Sequence, residues 1–471
     1  MYEQQTAHPL RSLRPELFPR GALAAAERIQ ASGAQAYFVG GAVRDLLLGR
    51  PVRDYDLATD LRPEQLEALF PRTHSVGAHF GTILVVDGGE TYEVTTFRRD
   101  GLYSDGRRPD TVEWSDSIEE DLTRRDFTVN ALAYDPFAGR LVDPASGRED
   151  LQAGIIRAVG NPEVRFAEDG LRLLRAVRIA AQLEFEIEPL TLRALVVCGA
   201  MLERIAPERI REEFDKLLEL ERPSSGIALL HETGLLRRFL PELADCYGVP
   251  QNPHHAYDVF HHSLAAVDRA TRDNPVVRLS ALFHDLGKPE TRVQMDDTAS
   301  FHGHQFNGER HADRIMRRLR YPNETRERVM HLVRHHMFHY TPDWTDGAVR
   351  RFLRTIGPEN VEELFLMRAA DTLGNGLRRR IAPELKELRR RSDDLLARES
   401  ALSVRDLVIG GQDLMTELGL APGPEIGRVL RELLEDVLDQ PELNTRETLL
   451  ERARALVTSP GDDPEDAPGD A

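Results

Sequence analysis

The chain has 471 residues, 41% apolar and 30% charged, which predicts about two to four compact units of a soluble globular protein. No apolar run approaches the roughly 20 residues of a membrane-spanning helix, and the first 20 residues lack the apolar core of a signal peptide, so we expect no membrane partner. Two distant cysteines, Cys198 and Cys246, predict a reducing cytoplasmic location, and a net charge of −18 taken alone favours an acidic metabolic enzyme over a nucleic-acid-binding protein.

The first predicted element is a helix in GALAAAERIQASG, preceded by residues 1–21, which read as a loosely tied lead-in. A short apolar strand, AYFVGG, then opens a mixed α/β region that extends to about residue 150. Within it, TILVV and TYEVTTF flank residues 87–90, a turn typical of a β-hairpin. The pattern is helical from 151 to 455, and the acidic Pro- and Gly-rich residues 456–471 are predicted to be disordered. The fold class is therefore α+β, with a small α/β head followed by a long all-α neck, body and tail.

A glycine pair and two aspartates form the first informative segment. Gly40 and Gly41 close a strand and open a helix, so that backbone N–H groups and the nearby Arg44 can approach a phosphate. Next, Asp54 and Asp56 are two positions apart and point to the same side of a strand. Such close carboxylates repel each other, and a divalent cation such as Mg²⁺ is the usual compensation. The segment predicts metal-dependent phosphoryl chemistry.

Residues 162–182 are predicted to form one helix after Pro162. Its apolar side chains fall on one face, which we expect to be core: Leu173, Leu174, Val177, Ala180 and Ala181. Roughly opposite lie Arg172, Arg175 and Arg178, with Asp169 one turn before Arg172. A solvated basic face explains this pattern equally well. Alternatively, a carboxylate beside a guanidinium offers acceptors and donors to the Watson–Crick edges of C and A.

A histidine-rich stretch follows in the predicted body. His284 and Asp285 lie on an apolar helix that is predicted to end at Gly287, with His262 upstream and Asp371 downstream. Imidazole and carboxylate ligands suit Mn²⁺, Ni²⁺, Fe or Mg²⁺, and a metal bound there would activate water towards a phosphate ester. The candidates for a second metal are His304 and His336, with His335 as a rival. A body that serves as a metal-free scaffold is the alternative.

GGAVRDLLLGRPVRDYDLAT at residues 40–59 closely resembles the signature of class II tRNA nucleotidyltransferases and bacterial poly(A) polymerases, within the polymerase-β-like superfamily. The resemblance continues through EEDLTRRDFTVNALAYD, residues 141–182 and PERIREEFDKLL, and covers most of residues 35–220. It implies template-independent addition of CCA to tRNA from CTP and ATP, with release of pyrophosphate and Mg²⁺ in the head. The histidine and aspartate set resembles the HD superfamily and implies phosphatase or 2′,3′-cyclic phosphodiesterase activity.

The resemblance also assigns roles to individual residues. Asp54 and Asp56 are implied to be catalytic metal ligands, and Glu93 is a weaker candidate for a third acidic group, a surface position being the alternative. The implied nucleotide contacts are Gly41, Arg44, Arg124, Arg125, Asp126, Asn130, Asp169, Arg172, Arg175 and Arg178. The implied metal ligands of the HD domain are His262, His284, Asp285 and Asp371.

Five segments are expected: a nucleotidyltransferase head (22–150), a neck (151–220), a body with the HD domain (221–400), a tRNA-binding tail (401–455) and the disordered end (456–471). The loop at 98–114 resembles that of enzymes which add the terminal A, so full CCA addition and A-only addition both stay open. Arginines 378–380 and 389–391 are candidate contacts for tRNA phosphates, a solvated helix face being equally expected. The alternative functions are a poly(A) polymerase and an HD phosphohydrolase whose head only binds nucleotides.

Overall fold

In a computed structural model of the chain, the structure describes residues 8–77, 81–87, 89–101, 112–253, 255–295, 298–398 and 402–458. Most of the predicted loop at 98–114 and of the predicted disordered end lie outside these residues. Residues 456–458 were assigned to that end, but they form the last turn of the final helix. The described residues divide into two compact units, one comprising residues up to 247 with 314–322, the other 248–313 with the residues from 323 onwards.

The first unit contains a seven-stranded sheet in the order β3-β4-β5-β2-β1-β8-β9. The strands are β1 (Ala36–Val39), β2 (Asp56–Thr59), β3 (Thr73–Gly77), β4 (Thr82–Asp87), β5 (Glu90–Thr96), β8 (Ala133–Asp135) and β9 (Arg140–Val142), with a separate ribbon of β6 (Arg98–Asp100) and β7 (Val112–Trp114). The helices of this region are α1 (Arg20–Ala31), α2 (Gly41–Leu48), α3 (Pro63–Leu69), α4 (Ile118–Thr123) and α5 (Gly147–Ala153). Strand β1 lies between β2 and β8 in the interior of the sheet and is buried along its whole length.

The register of the sheet places the predicted site at one strand end. β1 pairs antiparallel with β2, with Val39 opposite Asp56, so the end of β1 lies beside the start of β2. β2 also pairs with β5, the one parallel pair of this sheet among the described residues. The predicted hairpin is confirmed, because β4 and β5 pair antiparallel from Thr82 and Thr95 to Asp87 and Glu90.

The lead-in is more firmly held than we expected. From residue 8 to the start of α1 it lies along the head, and the backbone N–H groups of His8 and Arg11 donate to the carbonyls of Gln152 and Leu47. Phe18 is buried and stacks on Phe38 and Tyr134, with ring centroids 4.1 and 5.6 Å apart. The prediction of a loose segment was wrong for these residues, because one buried aromatic side chain contributes more than the polar composition around it suggests.

The neck helices complete the first unit. They are α6 (Pro162–Glu168), α7 (Leu171–Leu183), α8 (Pro189–Val197), α9 (Pro207–Leu218), α10 (Pro223–Glu232), α11 (Leu236–Phe239) and α12 (Pro241–Ala244), with the short strands β10 (Ile155–Ile156) and β11 (Glu186–Ile187). The single helix predicted over 162–182 is in fact two helices that break at Asp169 and Gly170. Four of the five predicted apolar positions of α7 are buried: Leu173, Leu174, Val177 and Ala180.

The second unit is helical apart from a small ribbon of β12 (Val293–Met295) and β13 (Thr298–Ser300). Its helices are α13 (Val259–Arg269), α14 (Pro275–Phe283), α15 (Lys288–Thr291), most of α16 (His304–Arg318), α17 (Asn323–His335), α18 (Asp346–Ile356), α19 (Val361–Gly374), α20 (Pro383–Leu396), α21 (Gly411–Leu418), α22 (Pro424–Asp439) and α23 (Arg446–Thr458). The last three pack around a leucine-rich core that includes Leu433 and Leu449. No helix in the described ranges is long and apolar enough to cross a membrane.

Candidate active site and metal centre

A cleft of about 830 Å³ opens in the first unit, where the ends of β1 and β2 meet β5, α7 and α9. Nine arginines and one lysine line it, against six carboxylates. The cleft is therefore basic although the chain carries a net charge of −18. Such a concentration of cations in one cavity suits a polyphosphate or a nucleic-acid backbone.

Three carboxylates share the wall of this cleft. Asp54 and Asp56 line it as predicted, and Glu93 of β5 lines it beside them. Desolvation raises the pKa of Asp56, the charge of Arg125 opposes the shift, and the charge of Asp54 adds to it. Desolvation also raises the pKa of Glu93, and the charges of Asp56 and Asp54 raise it further. Three carboxylates that disfavour one another's charge fit a divalent cation, because oxygen ligands of this kind are those that Mg²⁺ takes.

The aspartates face the cleft because the residue between them faces the sheet. Strand β2 begins at Asp56, two residues later than the predicted strand, which began at Asp54. The Tyr55 ring lies edge-on to Phe18 and Phe38, with centroids 6.0 and 6.2 Å apart. Leu57 is fully buried. Alternation along an extended segment then turns Asp54 and Asp56 to the opposite side.

The glycine turn has the predicted geometry. Gly40 adopts a φ of 70°, and a Cβ there would lie 2.9 Å from Nη1 of Arg125, so only glycine fits. Arg44 donates to both oxygens of Asp45, at 2.8 and 3.0 Å, and to Oδ1 of Asn130 at 2.7 Å. These bonds fix the guanidinium on the cleft wall beside the N-terminus of α2, where backbone N–H groups remain for an anion.

The first two residues of the Arg124, Arg125 and Asp126 triplet are hydrogen-bonded to a buried carboxylate. Asp121, fully buried on α4, accepts from Arg124 and Arg125. Asp126 is itself buried and accepts from Asn130 at 3.0 Å and from Arg175 at 2.6 and 2.8 Å. Burial opposes the ionisation of Asp126, but the charge of Arg175 and the bond from Asn130 hold its pKa well below the usual range. Asp126 thus anchors neighbouring cleft residues within the protein.

Asp169 and Arg172 lie in the same cleft, although not on one helix as predicted. Asp169 has an extended backbone at the break, and its Oδ1 accepts from the N–H of Leu171 at 3.0 Å. Arg172 donates to the carbonyl oxygens of Arg165 and Arg124, at 2.9 and 3.1 Å, and to Glu168. With 11% of its side chain exposed, Arg172 is not part of a solvated face.

Helix α9 supplies two residues that the sequence analysis did not single out. Arg209 donates to both carboxylate oxygens of Asp169, at 3.2 and 2.8 Å. Glu213, 4% exposed, accepts from Arg178 at 2.7 Å and lies 3.8 Å from Arg175. The signal was available in PERIREEFDKLL, since residues four apart on a helix share a face.

The second unit brings the predicted histidines and aspartates together around Asp285. The Nε2 atoms of His262 and His284 are 3.2 Å apart, and each lies within 3.6 Å of Oδ2 of Asp285 and Oδ1 of Asp371. On the other side of Asp285, Oδ1 is 3.5 Å from Nε2 of His304 and 3.9 Å from Nε2 of His336. Asp285 therefore joins two groups of ligand atoms.

The tautomers of the four histidines test whether these groups fit metal ions. Each ring has Nδ1 within hydrogen-bonding distance of a backbone carbonyl, which places the proton there and the lone pair on Nε2. The facing Nε2 atoms are then 3.2 Å apart in His262 and His284, and 3.1 Å apart in His304 and His336. Two lone pairs that face each other need a cation between them, so the donor set fits two metal ions.

Charge and burial support the same arrangement. Burial lowers the pKa of His336 well below its usual value, which keeps this ring a neutral ligand. Lys288 donates to Oδ2 of Asp285 and to Gln251, both at 2.6 Å, and Arg368 donates to Asp371. The centre opens into a cavity of about 500 Å³.

Two further predictions concern residues near this centre. His335 contacts the ring of His331 and lies outside the ligand groups found among the described residues, so the rival assignment was wrong. Arginines 389–391 are paired with acidic side chains of the same unit, which leaves less of their charge for RNA phosphates. Arginines 378–380 are exposed between α19 and α20, and Arg378 lines the cavity.

Three family models match the chain. Residues 36–157 match the Poly A polymerase head domain, residues 184–247 the "Probable RNA and SrmB- binding site of polymerase A", and residues 303–453 the tRNA nucleotidyltransferase domain 2. The CCA-adding enzyme of Anoxybacillus flavithermus is 35% identical over 434 residues, which are 92% of this chain and 96% of that protein. The chain belongs to the family of CCA-adding enzymes.

Other members of the family differ in how much of their length aligns. The CCA-adding enzyme of Ligilactobacillus salivarius is 48% identical over 233 residues, which cover 50% of this chain and 57% of that protein. The crystal structure of the Bacillus stearothermophilus CCA-adding enzyme in complex with CTP has a TM-score of 0.70 and 32% identity, and covers 93% of this chain and 98% of that one. The Thermotoga maritima enzyme complexed with tRNA shares the fold at 21% identity, with a TM-score of 0.56 over 95% of this chain and 97% of that one.

These comparisons confirm the predicted family, and with the structure they confirm the α+β fold class with its nucleotidyltransferase head. As a CCA-adding enzyme family member, the chain is a tRNA nucleotidyltransferase. The roles of the individual cleft residues, the five segment boundaries and the metal of the second unit stay predictions.

Proposed function

We propose that this CCA-adding enzyme extends the 3′ end of tRNA with C, C and A from CTP and ATP, and releases pyrophosphate at each step. The observation that carries the proposal is the group of Asp54, Asp56 and Glu93 in a basic cleft that Asp169 and Arg172 also line. Relatives that align over nearly their whole length are CCA-adding enzymes, and one solved relative is described in complex with CTP.

Each group of cleft residues has its own role in the transfer of a nucleotide to the 3′-hydroxyl. In each cycle the 3′-hydroxyl oxygen bonds to the α-phosphorus, the bond to the bridging oxygen breaks, and the hydroxyl proton passes to solvent. Divalent cations held by Asp54 and Asp56 would lower the pKa of the hydroxyl and neutralise charge on the leaving pyrophosphate. Arg44 and the N-terminus of α2 hold the β- and γ-phosphates, and Arg125 keeps its positive charge beside Asp56. Catalysis is then mainly positioning and charge neutralisation.

Base selection follows from the donors and acceptors of two side chains. Within the described part of the chain, the bonds of Arg172 use three of its five N–H donors, and Nε with the other Nη2 hydrogen remains for N3 and O2 of cytosine or N1 of adenine. Oδ2 of Asp169 keeps a lone pair for the amino group of either base. Uracil and guanine would instead present a carbonyl oxygen to this carboxylate, and each such mismatch costs about 1–3 kcal/mol.

Two alternatives within the same chemistry remain. A poly(A) polymerase would share the head, but the match of residues 303–453 to a tRNA nucleotidyltransferase domain favours tRNA as the acceptor. Full CCA addition and addition of the final A alone are distinguished by the acceptor, so the assay uses tRNA that lacks CCA, CA or A, with the products sequenced.

The experiment that tests the carboxylates is replacement of Asp54 by Asn. Loss of one metal ligand should lower the rate of CMP incorporation by about 10²-fold or more, because metal-assisted charge neutralisation contributes several kcal/mol. Binding of tRNA, measured by filter retention, should stay within about twofold, since other residues contact the backbone. Asp116→Asn, an exposed carboxylate of the same head, is the matched control. Normal incorporation by the Asp54 variant would end the proposal.

A second function is favoured by the cluster around Asp285. We propose that the second unit is a metal-dependent phosphohydrolase, in which bound Mn²⁺, Ni²⁺, Fe or Mg²⁺ would activate water towards a phosphate ester. Lys288, Arg368 and Arg378 line the cavity and would hold the phosphate oxygens of the substrate. Water supplies the oxygen that bonds to phosphorus, and its proton leaves with the ester oxygen.

Metal analysis of the purified protein tests this centre. The wild type should hold up to two equivalents of divalent metal, and His284→Ala and His336→Ala about one each, because each variant loses a ligand from one of the two groups that share Asp285. The control is His261→Ala, the neighbouring histidine, which is half exposed and contacts Asp258. Equal metal content in His284→Ala and His261→Ala would contradict the site, and metal-dependent hydrolysis of p-nitrophenyl phosphate reports the activity.

A further inference from the structure

Helix α9 forms part of the cleft wall, which it lines with Arg209 and Lys216. Arg209 and Glu213 stand one turn apart on it, so both face α7 and the break before it. Arg209 holds Asp169, and Glu213 holds Arg178 and lies beside Arg175. Helix α9 thus holds Asp169 through Arg209, and it holds Arg178 of α7 through Glu213.

We propose that Arg209 is the positioning residue that makes base selection strict, because it fixes the orientation of the Asp169 carboxylate. This inference rests on the proposed function, in which Asp169 and Arg172 contact the base. The two Nη atoms of Arg209 donate to the two carboxylate oxygens of Asp169, so its bonds in the structure are to this carboxylate. It acts through Asp169.

The backbone at Asp169 explains why such a residue is needed. Asp169 has φ −144° and ψ 106° and follows the last residue of α6, so no helix rotamer restricts its side chain. Its orientation is set by the N–H of Leu171 on Oδ1 and by Arg209 on both oxygens. These three bonds leave one lone pair on Oδ2 that can accept from an amino group of the base.

The shape of the guanidinium matters as well as its charge. A planar fork holds both oxygens and so fixes rotation about the last bond of the Asp169 side chain, whereas a lysine ammonium is a single point that permits rotation. A carboxylate that can turn away no longer opposes the carbonyl of uracil or guanine. Loss of the fork should therefore admit wrong bases more than it weakens the binding of triphosphates.

The test compares Arg209→Lys and Arg209→Gln with the wild type. With tRNA that lacks CCA, kcat/KM is measured for CTP against UTP, and with tRNA that lacks only A, for ATP against GTP. We expect each ratio to fall about tenfold in Arg209→Lys and further in Arg209→Gln, a size typical of coupled neighbours. The Kd of CTP should change less than about threefold, because the triphosphate contacts are intact. Tm measurements confirm that the variants fold.

Arg211→Gln is the matched control on the same helix. Arg211 donates to the carbonyl of Arg320 and lies 4.0 Å from Asp215, away from the base-selection residues, so its loss should leave both ratios unchanged. Equal losses of selectivity in the Arg211 and Arg209 variants would mean that any disturbance of α9 has this effect, and would overturn the inference.

Asp169→Ala separates failure of the inference from failure of the proposed function. If Asp169→Ala keeps its selectivity, the proposed contact of Asp169 with the base is wrong. If Asp169→Ala loses selectivity and Arg209→Lys keeps it, only the role of Arg209 is wrong. In the double variant, Arg209→Lys should cause no further loss, because a residue that acts through Asp169 has nothing left to position; a further full loss would contradict the inference.

Discussion

One partly exposed carboxyl group outside both sites has an unusual environment. Asp215 of α9 accepts from the hydroxyl of Tyr321, a residue of the 314–322 segment that belongs to the same unit. Burial raises the pKa of Asp215 to about 6; the bond from Tyr321 and the charge of Arg211 oppose the shift, and Glu219 and Glu212 add to it. At neutral pH this side chain is ionised at a cost in stability.

We therefore predict that the loss of folding stability caused by ionised Asp215 depends on pH. The carboxyl ionises near pH 3.8 in the unfolded chain and near pH 6 in the folded one, so the wild type loses stability as pH rises between these values and loses no more above. Asp215→Asn should remove this loss, and its Tm should gain on the wild type by a few degrees between pH 4.5 and 7.5. The gain is modest because 38% of the side chain is exposed.

Thermal unfolding at the two pH values measures the difference. Asp245→Asn, an exposed residue paired with Arg237, is the control and should show no pH-dependent gain. A Tm difference between the Asp215 variant and the wild type that is the same at both pH values would contradict the prediction.

Among single residues, those that could be predicted were the ones whose neighbours in sequence already specify the chemistry. Asp54 and Asp56 were placed correctly in one cleft because alternation alone turns them to one side. Asp126 lines the cleft, and its carboxylate accepts from Asn130 and Arg175. Nothing local reveals that Arg175, 49 residues later, ends beside it.

At the scale of elements, the clearest error was the helix predicted over 162–182. Its apolar positions were right, but the Asp169-Gly170 pair is a turn signal that should have divided it. Gly170 lies against the backbone of Met201, where a Cβ would be 2.9 Å from the carbonyl oxygen. The break is therefore fixed by a contact with a segment 31 residues away, which periodicity along one helix does not reveal.

The variant Gly170→Ala tests the close approach of Gly170 to the backbone of Met201. Its φ of −59° suits alanine, so the backbone conformation is not the obstacle, but the methyl group must displace the backbone of Met201. We expect a loss of about 1–3 kcal/mol of unfolding free energy, measured by urea denaturation. Because Gly170 directly follows Asp169 in the chain, the ratio of CTP to UTP use should fall as well.

Gly33→Ala is a useful comparison for this variant. No atom lies within 4 Å of a Cβ at Gly33, so any loss there comes from its φ of 90° alone. If Gly170→Ala proves as stable as the wild type, the backbone of Met201 does not hold the break in place.

For the whole molecule, composition predicted the wrong partner and the motifs predicted the right family. A net charge of −18 argued against a nucleic acid, yet ten cationic side chains meet in one cleft. Charge summed over a chain says nothing about where folding places each residue, whereas a motif records positions that already share a strand or a turn. The motifs therefore predicted an α/β head followed by helical segments. Contacts between residues far apart in sequence, such as Arg209 with Asp169, could not be predicted from any sequence pattern.

The segment from His8 to Phe18 has a consequence for how the protein is made. It is synthesised before the rest of the head, but its partners, the carbonyl of Gln152 and the ring of Phe185, leave the ribosome more than 140 residues later. During synthesis His8 must therefore wait unpaired until the neck has emerged, whereas Arg11 and Phe18 meet Leu47, Phe38 and Tyr55 within the head. The contact at His8 is thus among the last of the first unit to form, although the aromatic packing behind Asp54 and Asp56 is complete once the head has been synthesised.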